Sequence, residues 1–136
     1  MKKVLVATDK PFAAVAVNQI RSIIEKAGFE LVLLEKYTDK SQLIDAVKSA
    51  NAVIIRSDLI TREVIEASDT LEVVVRAGAG YDNVDLKAAT EKKVVVMNTP
   101  GQNSNAVAEL AFEMMLYHAR KGFAGYCASW RARARS

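Results

Sequence analysis

Cysteine occurs once in this chain of 136 residues, at Cys127, and histidine once, at His118. A single thiol excludes an internal disulfide, and one thiol with one imidazole cannot assemble a Cys/His metal set. No grouping of carboxylates points to a metal either. Long apolar runs are missing as well: none approaches the roughly 18–20 residues that span a bilayer. The run Val4 to Ala7, after Met1-Lys2-Lys3, is broken by Thr8-Asp9-Lys10, too soon for a secretory signal. A soluble, cytoplasmic chain with no membrane partner is expected.

Surplus charge is scarce too, once its position is considered. The formal net charge is +3, but Arg131 to Ser136 hold three arginines and no acid, and without them the chain carries 16 basic and 16 acidic residues. A neutral body offers no basic face for a phosphate backbone, so nucleic acid is not an expected partner. From Gly122 onward neither helical nor strand rhythm continues. Residues 122–136 are therefore expected to be a tail foreign to the domain, natural or expression-derived, and residues 1–121 to be the domain. With 51% apolar and 26% charged residues, the chain suits one compact core.

What is present is a regular alternation. Mostly apolar, β-branched runs of five or six residues recur at Val4–Thr8, Glu30–Glu35, Ala52–Arg56, Leu71–Arg76 and Val94–Asn98. Runs apolar on both faces suit strands covered by helices on both sides. Between them lie helical stripes. Val15, Ile20, Ile23, Ile24 and Ala27 form one, ended by Gly28, and Leu43, Ile44 and Val47 form another behind Ser41. Thr61 is placed to cap a third helix and Asp85 a fourth, while a fifth runs from Ser104 to about Arg120 and ends at Gly122. Five βα units imply a parallel sheet with right-handed crossovers. The expected fold is α/β, doubly wound and flavodoxin-like, with strand order 2-1-3-4-5.

In such a sheet ligands bind beyond the carboxyl ends of the strands. The first run there delivers Asp9-Lys10, the third Arg56-Ser57, the fourth Arg76 and the loop Gly78-Ala79-Gly80, and the fifth Asn98-Thr99-Pro100-Gly101-Gln102-Asn103. Arg56 and Arg76 end neighbouring strands, and their guanidiniums can share an anion. Helices starting near Phe12, Thr61 and Ser104 aim their amino ends at the same edge. The competing reading is that both arginines pair with Asp9, Asp58 or Asp82 at the rim of the sheet.

The Gly-x-Gly invites a dinucleotide reading and fails it. A dinucleotide turn needs a third small residue, follows the first strand of its unit, and is answered by an acid at the end of the next strand. Here Asn83 occupies the third position, the loop follows the fourth strand, and the fifth ends in Asn98. Its glycines still let backbone N–H groups approach a small anion.

Ile55-Arg56-Ser57, the stretch from Arg76 to Asp85, Met97-Asn98-Thr99-Pro100, and the stretch from Asn103 to Leu110 together resemble the substrate-domain motifs of the D-2-hydroxyacid dehydrogenases. Within that family the Arg-Ser and Arg-Ala-Gly variants are most similar to the branch that oxidises 3-phospho-D-glycerate to 3-phosphohydroxypyruvate with NAD, at the start of serine synthesis. The resemblance covers about residues 1–122. It implies that the N–H groups of Ala79 and Gly80 hold the substrate carboxylate, that Arg56, Ser57 and Arg76 serve the phosphate end, and that Asn103 reaches the substrate. Lys10 is added as a phosphate ligand on position alone.

In that family a nucleotide domain follows the helix matching residues 104–120 and brings the dinucleotide turn and the catalytic Arg, Glu and His or Lys. The sequence stops where that domain is expected. His118 and Glu109 match no catalytic position and are read as helix residues. The chain is thus expected to be an isolated substrate-binding domain with no catalytic residue and no cofactor of its own, NAD serving the complete enzyme. Hydride transfer needs the nicotinamide and the acid/base held against the substrate carbon, so activity alone is not expected.

The last helix is apolar nearly all round. Ala106, Val107, Leu110, Ala111, Met114 and Tyr117 can face the sheet, while Ala108, Phe112, Met115, Leu116 and Phe123 lie on other sides. Self-association through this helix is expected, the alternative being that Phe123 and Trp130 fold back over it. A stand-alone flavodoxin-like regulatory or acid-sensing module is the other functional reading. A phosphotransfer receiver is disfavoured because Asp9 stands single and the third strand ends in Arg56. A flavin site is disfavoured because Thr8-Asp9-Lys10-Pro11-Phe12 lacks the hydroxyls and glycines that cradle its phosphate.

Overall fold

The computed structural model describes residues 1–119. The expected tail, with Phe123, Cys127 and Trp130, and the expected helix end at Gly122 lie outside the described residues. The chain divides into two compact units, Met1–Pro100 and Gly101–Ser136.

The first unit alternates strand and helix: β1 (Lys3–Thr8), α1 (Ala14–Lys26), β2 (Glu30–Glu35), α2 (Lys40–Val47), β3 (Ala52–Ile55), α3 (Arg62–Glu66), β4 (Val73–Arg76), α4 (Leu86–Glu91) and β5 (Val95–Asn98). All pairings are parallel and the order is β2-β1-β3-β4-β5, the arrangement expected from the alternation. Alternate residues Leu5, Ala7, Val53, Ile55 and Val74 line one face of the sheet and are buried with Leu43 and Val47 of α2, Val64 and Ile65 of α3, and Ala88 and Ala89 of α4.

Within residues 1–100 helices lie on both faces of the sheet, in unequal number. Right-handed crossovers put α1 on one face, because the chain steps outward from β1 to β2. They put α2, α3 and α4 on the other, because every later step runs the opposite way. Within this unit a single helix therefore serves the second face. Val6 and Ile24 are buried there, whereas Val95 and Met97 toward the β5 edge are more than half exposed.

Local signals explain most boundaries. Gly28, at φ 78°, takes the left-handed position just past the C-cap Ala27 of α1. Asp85 caps α4, accepting from Ala88 N–H at 2.9 Å. The cap of α2 is Asp39, two residues before Ser41, whose N–H it receives at 3.0 Å. Thr61 occupies the N-cap position of α3 but makes no capping bond, its hydroxyl being buried without a partner among the described residues.

The second unit contains α5 (Ser104–Ala119). None of the α5 side chains is buried. The described part of this unit is a turn and one helix, which by itself offers an apolar face nothing to bury against.

Candidate functional site

The carboxyl edge of the sheet is built by Thr8, Ile55, Arg76 and Asn98, the last residues of four adjacent strands. The ladder pairs Arg76 with Ile55 on one side and Asn98 on the other. Arg56 lies one residue beyond Ile55 and is exposed. The two arginines thus end neighbouring strands as expected, but offset along the ladder rather than side by side. Among the described residues neither guanidinium lies within 4 Å of a carboxylate. The competing rim pairs with Asp9, Asp58 and Asp82 are therefore absent there.

Arg76 follows Val74 on the core-facing side of β4, by the two-residue period of a strand. Its Nε is buried with no hydrogen-bond partner among the described residues. The rest of the side chain folds back over its own loop: a Cβ on Gly78 would fall 1.6 Å from Nη1 and 2.6 Å from Cζ. Gly78 is required here by close approach, not by its φ.

The loop after β4 is tied at almost every residue. Ala77 N–H extends the ladder to the Ile55 carbonyl at 2.8 Å, and Gly78 N–H turns back onto the Arg76 carbonyl at 2.9 Å, a γ-turn centred on Ala77. From β5, Thr99 N–H donates to the Gly78 carbonyl at 3.0 Å and the Asn98 side-chain amide to the Ala79 carbonyl at 2.7 Å. Further on, Asn83 Nδ2 donates to the Asp58 carbonyl at 2.7 Å, and Ile60 and Val84 form a short parallel bridge. The N–H groups of Ala79 and Gly80 donate to no protein acceptor among the described residues. In a trans peptide the C=O and N–H point in opposite directions. Holding both carbonyls toward β5 therefore sends both of these N–H groups away from it.

The remaining predicted residues are less concentrated. Ser57 is exposed and lines a cavity of about 390 Å³ with Asp9, Tyr37, Lys40, Leu43, Asp58, Leu59 and Thr61. Asp58 is 6% exposed; its carboxylate receives the Tyr37 hydroxyl at 2.5 Å, Asp9 N–H at 2.9 Å and Arg56 N–H at 3.4 Å. Burial, then this hydrogen bond and the negative charges of Asp58 and Asp9, push the Tyr37 phenol well above its ordinary range, so it stays a donor. Lys10 is exposed, and its carbonyl receives the Thr8 hydroxyl at 2.6 Å. Asn103 belongs to the second unit, directly before α5, where its carbonyl receives Val107 N–H at 3.0 Å.

Three residues with roles in this geometry escaped the sequence reading: Gly78 as the seat of Arg76, Asn98 as the holder of the Ala79 carbonyl, and Asn83 as the tie to Asp58. The available signal was the pair of asparagines standing where a dinucleotide site needs a small residue and an acid.

The model of the D-isomer-specific 2-hydroxyacid dehydrogenase catalytic domain matches residues 6–134. This chain belongs to the D-isomer-specific 2-hydroxyacid dehydrogenase family. It is similar to D-3-phosphoglycerate dehydrogenases. It is 45% identical over 82 residues to the one from Methanocaldococcus jannaschii, covering 60% of this chain and 16% of that protein. It is 43% identical over 102 residues to the one from Rattus norvegicus, covering 74% and 19%. The crystal structure of the NAD+-bound 3-phosphoglycerate dehydrogenase of Entamoeba histolytica superposes with a TM-score of 0.83 at 54% identity, over 90% of this chain and 40% of that one. The chain therefore spans less than a fifth of these two curated relatives and two fifths of the structural one.

The described residues of this family member do not fit a dinucleotide. The third small position of the loop carries Asn83, whose side chain is committed to the Asp58 carbonyl, and the strand-end position carries Asn98, an amide spent on Ala79 rather than a carboxylate for ribose hydroxyls.

Proposed function

We propose that residues 1–100 form the acid-binding half of the site of an NAD-dependent D-2-hydroxyacid dehydrogenase acting on 3-phospho-D-glycerate. The observation that carries this reading is the pair of outward N–H groups at Ala79 and Gly80, with the Arg76 guanidinium seated over Gly78 beside them. Two convergent amides suit a carboxylate, and fixed donors bind a charge without the cost of reorganisation. Arg76 supplies the nearest cation, and Arg56 with Ser57 extends the positive edge toward the phosphate end. Lys10 is the outermost of these groups. Similarity to D-3-phosphoglycerate dehydrogenases supports the choice of acid.

Titrating 3-phospho-D-glycerate into the 136-residue chain is expected to shift the amide resonances of Ala79 and Gly80 with a dissociation constant above about 1 mM, weaker than roughly −4 kcal/mol, because an open half-cleft leaves the ligand solvated. Unmoved amides at saturating ligand would remove the reading. The same polypeptide with NAD and 3-phospho-D-glycerate is expected to form no NADH, since hydride transfer needs the nicotinamide and an acid/base held against the substrate carbon, and this reading assigns neither to residues 1–100. NADH formation above the blank would place chemistry in this segment.

The second unit is assigned to self-association. Val107, Leu110, Phe112, Met115 and Leu116 are each 55–68% exposed on α5, a run of apolar surface that association buries. Light scattering of the 136-residue chain is expected to give a mass rising with concentration toward twice the monomer. A monomer mass independent of concentration would reject this assignment.

A further inference from the structure

We infer that Asn98 is a positioning residue for acid recognition, selecting the one orientation of the Ala79–Gly80 peptide in which an N–H, not a carbonyl, faces the ligand. The inference rests on the acid-binding reading and deepens it.

Asn98 closes β5 and is paired in the ladder with Arg76, so its backbone is anchored to the same strand that launches the loop. Its side chain is short and half-buried, and its amide reaches the Ala79 carbonyl at 2.7 Å. The 79–80 peptide needs such a hold. It is followed by Gly80, whose missing Cβ leaves both signs of φ accessible, so this peptide plane turns over without steric cost when nothing restrains it. Turned over, it presents a carbonyl oxygen to the carboxylate, and attraction becomes repulsion. The preceding peptide has a different guard. The Gly78 carbonyl is held by the backbone N–H of Thr99 at 3.0 Å, a contact no side-chain change removes. Two neighbouring amides therefore depend on different anchors, one on a backbone and one on Asn98.

That division makes the role separable from stability. Asn98→Asp keeps the shape but replaces the donor with an acceptor that repels the Ala79 carbonyl, and Asn98→Ala removes the group. In the 136-residue chain titrated with 3-phospho-D-glycerate, the unaltered protein is expected to show both amides responding. In each variant that remains folded by its amide spectrum, the Gly80 response is expected to fall at least about threefold, the scale of one lost hydrogen bond, while the Ala79 response persists. Equal Gly80 responses in the unaltered chain and both variants would overturn the inference and leave the acid site standing. Joint loss of both responses in folded variants would also overturn it, since Asn98 would then support the loop as a whole. Silence of both amides in the unaltered chain would overturn the acid site itself.

Discussion

Replacing Gly78 by alanine is expected to leave the fold nearly as stable as before and to weaken acid binding by about tenfold to a hundredfold. The new methyl group would stand 1.6 Å from Arg76 Nη1, far inside contact distance, so one of them must leave. The backbone is held on both sides by the bonds of Gly78 N–H and C=O, whereas the guanidinium is the end of a long side chain. The guanidinium is therefore what moves. Its departure costs little, because Nε is buried without a hydrogen-bond partner among the described residues, and leaving that place relieves a desolvated donor. What is lost is the cation beside the two amides, and a hydrogen bond to a charged group is worth about 1.5–3 kcal/mol. Two measurements check this. The urea midpoint should move by less than the equivalent of about 1 kcal/mol, and the affinity for 3-phospho-D-glycerate should fall. If Gly78 acts through Arg76, then Gly78→Ala adds almost nothing to Arg76→Leu, and a double-mutant cycle reports that coupling directly. Additive losses would show that the glycine serves the ligand by some other route.

The sequence disclosed the sheet well because its strands are marked by composition: five β-branched runs, each ended by a polar or charged residue, fall within two residues of the observed strands. Asp85 was legible for the same reason, an acid just ahead of a helical run with the right offset to reach Ala88 N–H. The less legible features depend on distance in space. Which helices of residues 1–100 lie on which face follows from the direction in which crossovers step, and the reversal after β2 puts α1 opposite α2, α3 and α4, a fact no apolar run reveals. Thr61 has the chemistry of a cap and the position of one, yet its hydroxyl makes no bond among the described residues, because capping depends on a rotamer that packing decides. The site shows the same division. Arg56, Arg76 and the Gly78–Gly80 loop are legible from their positions after strand ends, and the proposed part of the Ala79 and Gly80 N–H groups comes from the family resemblance. The roles of Gly78 and Asn98 rest on where an arginine folds and where a carbonyl points, and in the sequence Asn83 and Asn98 show only as departures from a dinucleotide pattern.

Asp58→Ala is expected to be the most destabilising single change at this edge of the sheet, by about 2–4 kcal/mol. The buried carboxylate gathers three donors from three places: the Tyr37 hydroxyl beyond β2, the Asp9 N–H beyond β1 and the Arg56 N–H beyond β3. Its own carbonyl meanwhile receives Asn83 from the loop after β4. One residue thus fastens the exits of four strands. Alanine keeps the backbone tie to Asn83 but strands the three donors, and each buried donor left unpaired costs about 1–3 kcal/mol, reduced where water enters from the adjoining cavity. Tyr37→Phe removes only one of the three and should cost about 1 kcal/mol. A coupling of at least about 0.5 kcal/mol between the two changes is expected, because the phenol and the carboxylate share one bond in a partly desolvated place. Urea unfolding at unchanged slope is the measurement. A loss below about 1 kcal/mol for Asp58→Ala would mean that water replaces the carboxylate completely, and that the strand exits are held by the ladder alone.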